Sequence, residues 1–157
     1  MSESETNLNT ALQTLQSRIG QSNTASEWFE ITQDRINDFA DVTMDHQWIH
    51  IDVDRANSGP FGEPIAHGHL TLSIMGHLPK TENVPGPALE GQKLSINYGF
   101  DKVRFPSPVP VGAKIRSAST LKRAELKGGM IETMNEVVVE VEGQEKPAVV
   151  AESLGRL

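Results

Sequence analysis

Asp45, His46 and His50 fall within six positions in the stretch FADVTMDHQWIHID, residues 39–52. A carboxylate and two imidazoles this close can ligate a metal, move protons, or simply solvate a loop. All five histidines, at 46, 50, 67, 69 and 77, lie within 32 residues, so a metal site is considered first. His46 and His50 have the spacing of a helical metal pair, and His67-Gly68-His69 resembles a two-histidine strand motif. Residues 46–51 do not read as a helix, however, and 67–69 read as a helix start. Neither spacing meets the structure it requires, and the expectation is that no metal is bound.

Acid–base work is the second option. On a helix, Asp45 and His50 would point about 140° apart. They converge only if the chain leaves the helix between them, which the aromatic and β-branched residues of HQWIHI allow. A carboxylate and an imidazole sharing one water can together move two protons. The competing reading is an Asp that ends a helix beside a structural His. The segment AHGH, residues 66–69, adds a third element. If a helix begins near Gly68, its first N–H groups have no helical partners and favour negative charge. A glycine there lets a ligand oxygen approach the backbone. The result would be an oxyanion hole, or merely close packing of helix on sheet.

These residues need elements to hold them. In residues 5–20, Leu8, Leu12, Leu15 and Ile19 recur at helical spacing, and Gly20 is the expected stop. SEWFEIT, residues 26–32, reads as a short strand. Residues 33–42 read as a helix capped by Thr32, with Ile36, Phe39 and Ala40 as its buried stripe. NSGPFGEP, residues 57–64, is a loop rich in Gly and Pro. IAHGHLTLSIMGHL, ended by Pro79, has apolar residues not confined to one stripe and reads as a helix buried on most sides. VPGPALEGQ is another loop. Beyond residue 94 come LSINYGF, AKIRSASTLKRAEL, MIETMNEVVVEVEG and AVVAESLGRL, read as four antiparallel strands. The order predicts an α+β domain with a sheet around a central helix. One domain spans residues 1–157, with 1–22 as a helical extension.

Composition narrows the function. No window approaches a membrane span, and the polar start MSESETNLNT does not read as a secretory signal. The absence of cysteine removes disulfides, thiolate metal sites and a Cys nucleophile, and fits a cytoplasmic protein. A net charge of −7 argues against a nucleic-acid partner. Yet residues 102–127 hold seven basic residues against one acid, a local excess of six. That segment is either a solvated strand face or a landing site for a phosphorylated ligand.

Three segments, FADVTMDHQWIHID, FGEPIAHGHLTLSI and VRFPSPVPVGAKIR, resemble in order and spacing the MaoC-like dehydratases, or (R)-specific enoyl-CoA hydratases. The resemblance covers most of residues 26–155. It implies the hot-dog fold, an antiparallel sheet around a long helix, assembled as a homodimer. It implies reversible hydration of a trans-2-enoyl-CoA to an (R)-3-hydroxyacyl-CoA, with no metal or cofactor and with acyl-CoA as the small-molecule partner. Carried over by position, the catalytic residues are Asp45 and His50, and Gly68 holds the thioester oxygen. Asp45 is the expected base and His50 the expected acid, though both can touch one water and the roles can exchange. Arg104, in the VRF segment, is expected to meet CoA phosphate, and Trp48 and His67 to border the substrate. One departure stands out. The commoner pattern has Asn-Pro where this chain has Gln47-Trp48, and DHQWIH resembles the branch that includes nodulation protein N. Trp48 is therefore expected to reshape the acyl pocket. Two other readings stay open: an acyl-CoA thioesterase, since one fold hosts many functions, and a non-catalytic acyl-CoA-binding or assembly protein.

Overall fold

The computed structural model describes residues 3–23, 25–80, 89 and 91–157. Helix α1, Glu3–Gln16, ends one turn earlier than its leucine spacing suggests. Leu8, Leu12 and Leu15 pack with Ala124 and Ile131 of the sheet, while Ile19 stays exposed in the turns that follow. Gly20 takes a left-handed φ of 87°, open to glycine at little cost, and the chain turns there.

Helix α2, Gln33–Thr43, begins where the Thr32 side chain accepts a hydrogen bond from the Arg35 N–H. It buries Ile36 and Ala40 completely. It ends at Met44, whose φ of 63° is uncommon for a residue with a side chain. Two short helices follow, α3 (Trp48–Ile51) and α4 (Val53–Asn57). The single turn of α3 was not expected from the sequence. It is four residues long, too short to show a period.

Helix α5, Gly68–Ile74, is the central helix, and it is shorter than expected. Ile65 lies before it, in an isolated bridge to Pro110, and Leu78 lies after it. Both are buried, so the apolar run reflects burial and not helix. Within Gly68–Ile74 only His69 and Ser73 are exposed, so α5 is buried on its other sides, as expected. Leu70 packs with Ile115, Val139 and Val149 in the main core.

The four expected strands are present as β2 (Ile96–Arg104), β3 (Lys114–Lys127), β4 (Met130–Val141) and β5 (Val149–Arg156). The two-residue strand β1, Phe29–Glu30, pairs with β3. Sheet order is β1-β3-β4-β5-β2, and every pairing is antiparallel. β2 therefore forms one edge. The loop expected at 84–92 lies outside the described residues except at 89, 91 and 92. Among the described residues no helix is long and apolar enough to cross a membrane.

Candidate active site

The break after α2 positions the polar cluster. With Met44 turning the chain, Asp45 leaves the helix and stands exposed, and α3 carries His50 inward. His50 is 6% exposed. Gln33, at the start of α2, donates its Nε2–H to the His50 carbonyl at 2.8 Å and ties the two helices together.

The His50 ring has one tautomer compatible with its surroundings. Its Nδ1 lies 2.6 Å from the Ile65 carbonyl oxygen. A carbonyl only accepts, so Nδ1 carries the proton and donates. The neutral ring then presents Nε2 as an acceptor. Burial pushes the imidazole below its ordinary value of about 6.5. The bond to Ile65 opposes this, neighbouring His67 adds to it, and the Asp45 carboxylate opposes it again.

A carboxylate oxygen of Asp45 and ring nitrogens of His50 and His67 lie within 4.8 Å of one another. One water spans such a gap, at ordinary hydrogen-bond distances to each group. The same three groups are the side chains that could hold a metal. Neither histidine pair considered in the sequence supplies this trio. His46 is on the surface, its Nε2 2.8 Å from Asp41. His69 packs near Phe105, and His77 lines a different cavity.

A cavity of about 300 Å³ lies beside His50. Gly68 and Thr71 of α5 form part of its wall with Phe61, Phe105 and Val109. A Cβ at Gly68 would come within 3.0 Å of the Phe105 ring, so the bare glycine makes room for that aromatic. Among the described residues no backbone carbonyl accepts from the Gly68 N–H. Thr71 is 1% exposed and its hydroxyl has no partner among the described residues. Sequence reasoning missed Phe61, Phe105 and Thr71. Phe61 lies in the loop 57–64, where an aromatic among Gly and Pro was the available signal. A larger cavity of about 880 Å³ lies against β2–β5, but it holds none of Asp45, His50 and Gly68.

Two expected substrate contacts fall elsewhere. Trp48 does not line the cavity beside His50. Its ring lies under the Arg55 guanidinium at 4.4 Å and against Gly59, where a Cβ would meet it at 2.8 Å. It braces the loop that carries Phe61. His67 is 2% exposed and lies behind His50, also outside the cavity wall.

The basic segment is largely neutralised across strands. Arg116 pairs with Glu140 at 2.6 Å, Lys122 with Glu136 at 3.3 Å and Lys102 with Glu152 at 3.5 Å. Arg123 and Lys127 both meet the buried Glu132, which Arg156 also reaches. Hydrogen bonds from Lys127, then from Arg156, hold the Glu132 carboxyl below the usual range. Thus most of the local excess is a paired strand face. Arg104 differs. It is exposed, among the described residues its side chain donates to the Val103 carbonyl alone, and it precedes the cavity-lining Phe105.

Residues 14–144 match the family model described as the MaoC like domain. A 3-hydroxyacyl-thioester dehydratase Z of Mycobacterium tuberculosis is 50% identical over 132 residues, 83% of this chain and 85% of that protein. A nodulation protein N of Rhizobium leguminosarum bv. viciae is 44% identical over 138 residues, 86% of this chain and 83% of that one. Among solved structures, the (R)-hydratase from A. caviae superposes with a TM-score of 0.67 at 22% identity, covering 88% and 96% of the two chains. A regulatory protein from Archaeoglobus gives 0.72 at 22% identity, covering 88% and 89%. The shared architecture is the hot-dog fold.

Proposed function

This chain belongs to the MaoC-like dehydratase family, and we propose that it hydrates trans-2-enoyl thioesters of CoA reversibly, giving (R)-3-hydroxyacyl-CoA. The observation that carries the reading is that an Asp45 carboxylate oxygen and a His50 ring nitrogen lie within 4.8 Å of one another, with Nε2 left as the acceptor of that ring, and that His50 lines a cavity together with Gly68. Water has two hydrogens, and two acceptors a water's span apart orient its lone pair outward. With the enoyl group in the cavity, that lone pair faces C3.

As oxygen adds to C3, the water proton passes to His50 Nε2. The Asp45 carboxylate favours the imidazolium so formed. Electron density moves onto the thioester oxygen, and the Gly68 N–H receives it. His50 then returns its proton to C2. The hydroxyl ends on C3 and the hydrogen on C2, so the addition balances. The family resemblance implies Asp45 as base and His50 as acid, with exchange of the two roles open. The Ile65 bond instead favours His50 as the first acceptor, with one group serving in turn as base and acid. The steps call on no metal or redox cofactor.

Arg104 is the side chain we assign to CoA phosphate, since the other cations nearby are mostly paired. Assembly as a homodimer is part of the same reading. Among the described residues β2 is an unpaired edge, and Ile96, Tyr98 and Phe100 on it are 45%, 52% and 45% exposed. A long edge with such residues invites a second copy.

The test is the loss of enoyl-thioester absorbance when purified protein meets crotonyl-CoA, with chiral analysis of the product. Release of free thiol in place of hydration makes the protein a thioesterase. Binding without turnover makes it a carrier or assembly protein.

A further inference from the structure

We infer that His67 is the positioning residue of this site, holding Asp45 through its backbone and His50 through a ring face. The inference rests on the hydratase reading for its kinetic consequences, but its geometry is independent of that reading. His67 Nε2 lies 2.9 Å from the backbone oxygen of Asp45. The carbonyl only accepts, so the Nε2–H donates and Nδ1 is left as a bare lone pair. That Nδ1 is buried and has no partner among the described residues. The ring stacks on His50 with centroids 3.8 Å apart and planes 26° apart. Phe39 of α2 packs against the same ring at 5.0 Å.

One side chain therefore touches both halves of the pair while reaching no substrate cavity. Its own backbone is also fixed. The His67 carbonyl accepts from Leu70 N at 3.0 Å and Thr71 N at 3.3 Å, at the start of α5. Gly68 is the next residue. The Asp45 segment, the α3 turn and the start of α5 thus meet at His67. Asp45 is exposed and follows a left-handed Met44, so this hydrogen bond is a local restraint on where its backbone sits. A shift of about 1 Å in such a site costs up to a hundredfold in rate.

The two contacts can be separated. His67→Gln keeps an N–H donor and removes the stacked ring. His67→Phe keeps a ring face and removes the donor. His67→Leu removes both. With crotonyl-CoA and the full chain, each of the first two is expected to lower kcat about tenfold, and His67→Leu about a hundredfold. KM should stay within about twofold throughout. A merely structural role would reduce the folded fraction and leave kcat per folded molecule in place.

Variants that fold, with kcat unchanged, overturn the inference while the hydratase reading stands. So does a loss of rate that tracks the folded fraction alone, measured by circular dichroism. If the wild type hydrates no thioester, the hydratase reading falls. The tautomer of the His67 ring, read by nitrogen-15 nuclear magnetic resonance of the wild type, then decides this inference. A proton on Nε2 supports it, and a proton on Nδ1 with a bare Nε2 overturns it.

Discussion

The direction of the pH dependence separates the two roles open to His50. Its Nδ1–H is committed to the Ile65 carbonyl, and burial holds the imidazole below about 6.5. If the neutral ring receives the first proton, activity is lost as pH falls through the lowered midpoint. Above about 6.5 at least half of the ring is already neutral, so kcat/KM should rise by at most about twofold from pH 6.5 to 8.5. If the imidazolium were the starting acid, activity would be lost as pH rises. At pH 8.5 at most about 1% of the ring would be charged, and the rate would fall roughly fiftyfold or more over the same interval. The assay is crotonyl-CoA hydration between pH 5 and 9, in wild type and His50→Gln. The substitution should cost roughly a hundredfold in kcat, about 2.7 kcal/mol of barrier, and erase the acid limb. Asp45→Asn should cost a similar factor. The double variant should be little worse than the poorer single one, because groups acting on one water are not additive. A steep fall between pH 6.5 and 8.5 in wild type would refute the acceptor role. A limb that survives in His50→Gln would assign the titration to another group.

Arg104→Ala should raise KM for crotonyl-CoA several-fold with little change in kcat, and added salt should weaken binding in the wild type. A salt-independent KM, unmoved by the substitution, removes Arg104 from the CoA site. Elemental analysis of dialysed protein should find no stoichiometric metal. About one zinc per chain, with activity lost to chelator, would make the Asp45, His50 and His67 trio a metal centre. Gly59→Ala should lower stability to urea by about 1–3 kcal/mol, because its Cβ would meet the Trp48 ring; an unchanged midpoint would show that the loop gives way. Glu132→Gln should lower the melting temperature near neutral pH. Glu132 is held below the usual range, so its contribution is present above the ordinary value and is lost as pH falls through the lowered one. The gap from wild type should therefore close toward pH 3, and a gap that widens there would contradict the pairing.

Much of the fold was legible because its signals are local. Thr32 announces α2 through a bond three residues long, and β-branched runs with turn residues between them mark β2–β5. Two of the errors share one cause, which is non-local partners. The run from Ile65 to Leu78 is apolar along its whole length, yet Ile65 is buried by a bridge to Pro110, 45 residues on. Burial and helix gave the same local pattern, and only the first applies outside Gly68–Ile74. The basic segment read as a local excess of six for a similar reason. Glu136, Glu140 and Glu152 sit on other strands, and pairing brings them opposite.

The candidate site was legible in its side chains and hidden in its backbone. Asp45, His50 and Gly68 enter as candidates through residue type and through the resemblance of their segments, and the structure brings Asp45 and His50 within 4.8 Å of each other. The proton position on each buried histidine could not be read from residue type. It is set by the carbonyls of Ile65 and Asp45, which any residue would supply. No side-chain truncation at position 65 removes that carbonyl, so its influence on His50 escapes an alanine scan. What fixes the carbonyl is the path of the chain, through the bridge of Ile65 to Pro110 and the bond from Ile65 N–H to the Ile49 carbonyl. That second bond returns to the turn that carries His50. The α3 turn and the segment before α5 therefore hold each other in register, and the proton on Nδ1, with a lone pair left at Nε2, follows from backbone geometry. The acceptor at Nε2 is in this sense a property of the fold, expressed through a residue the sequence could only nominate.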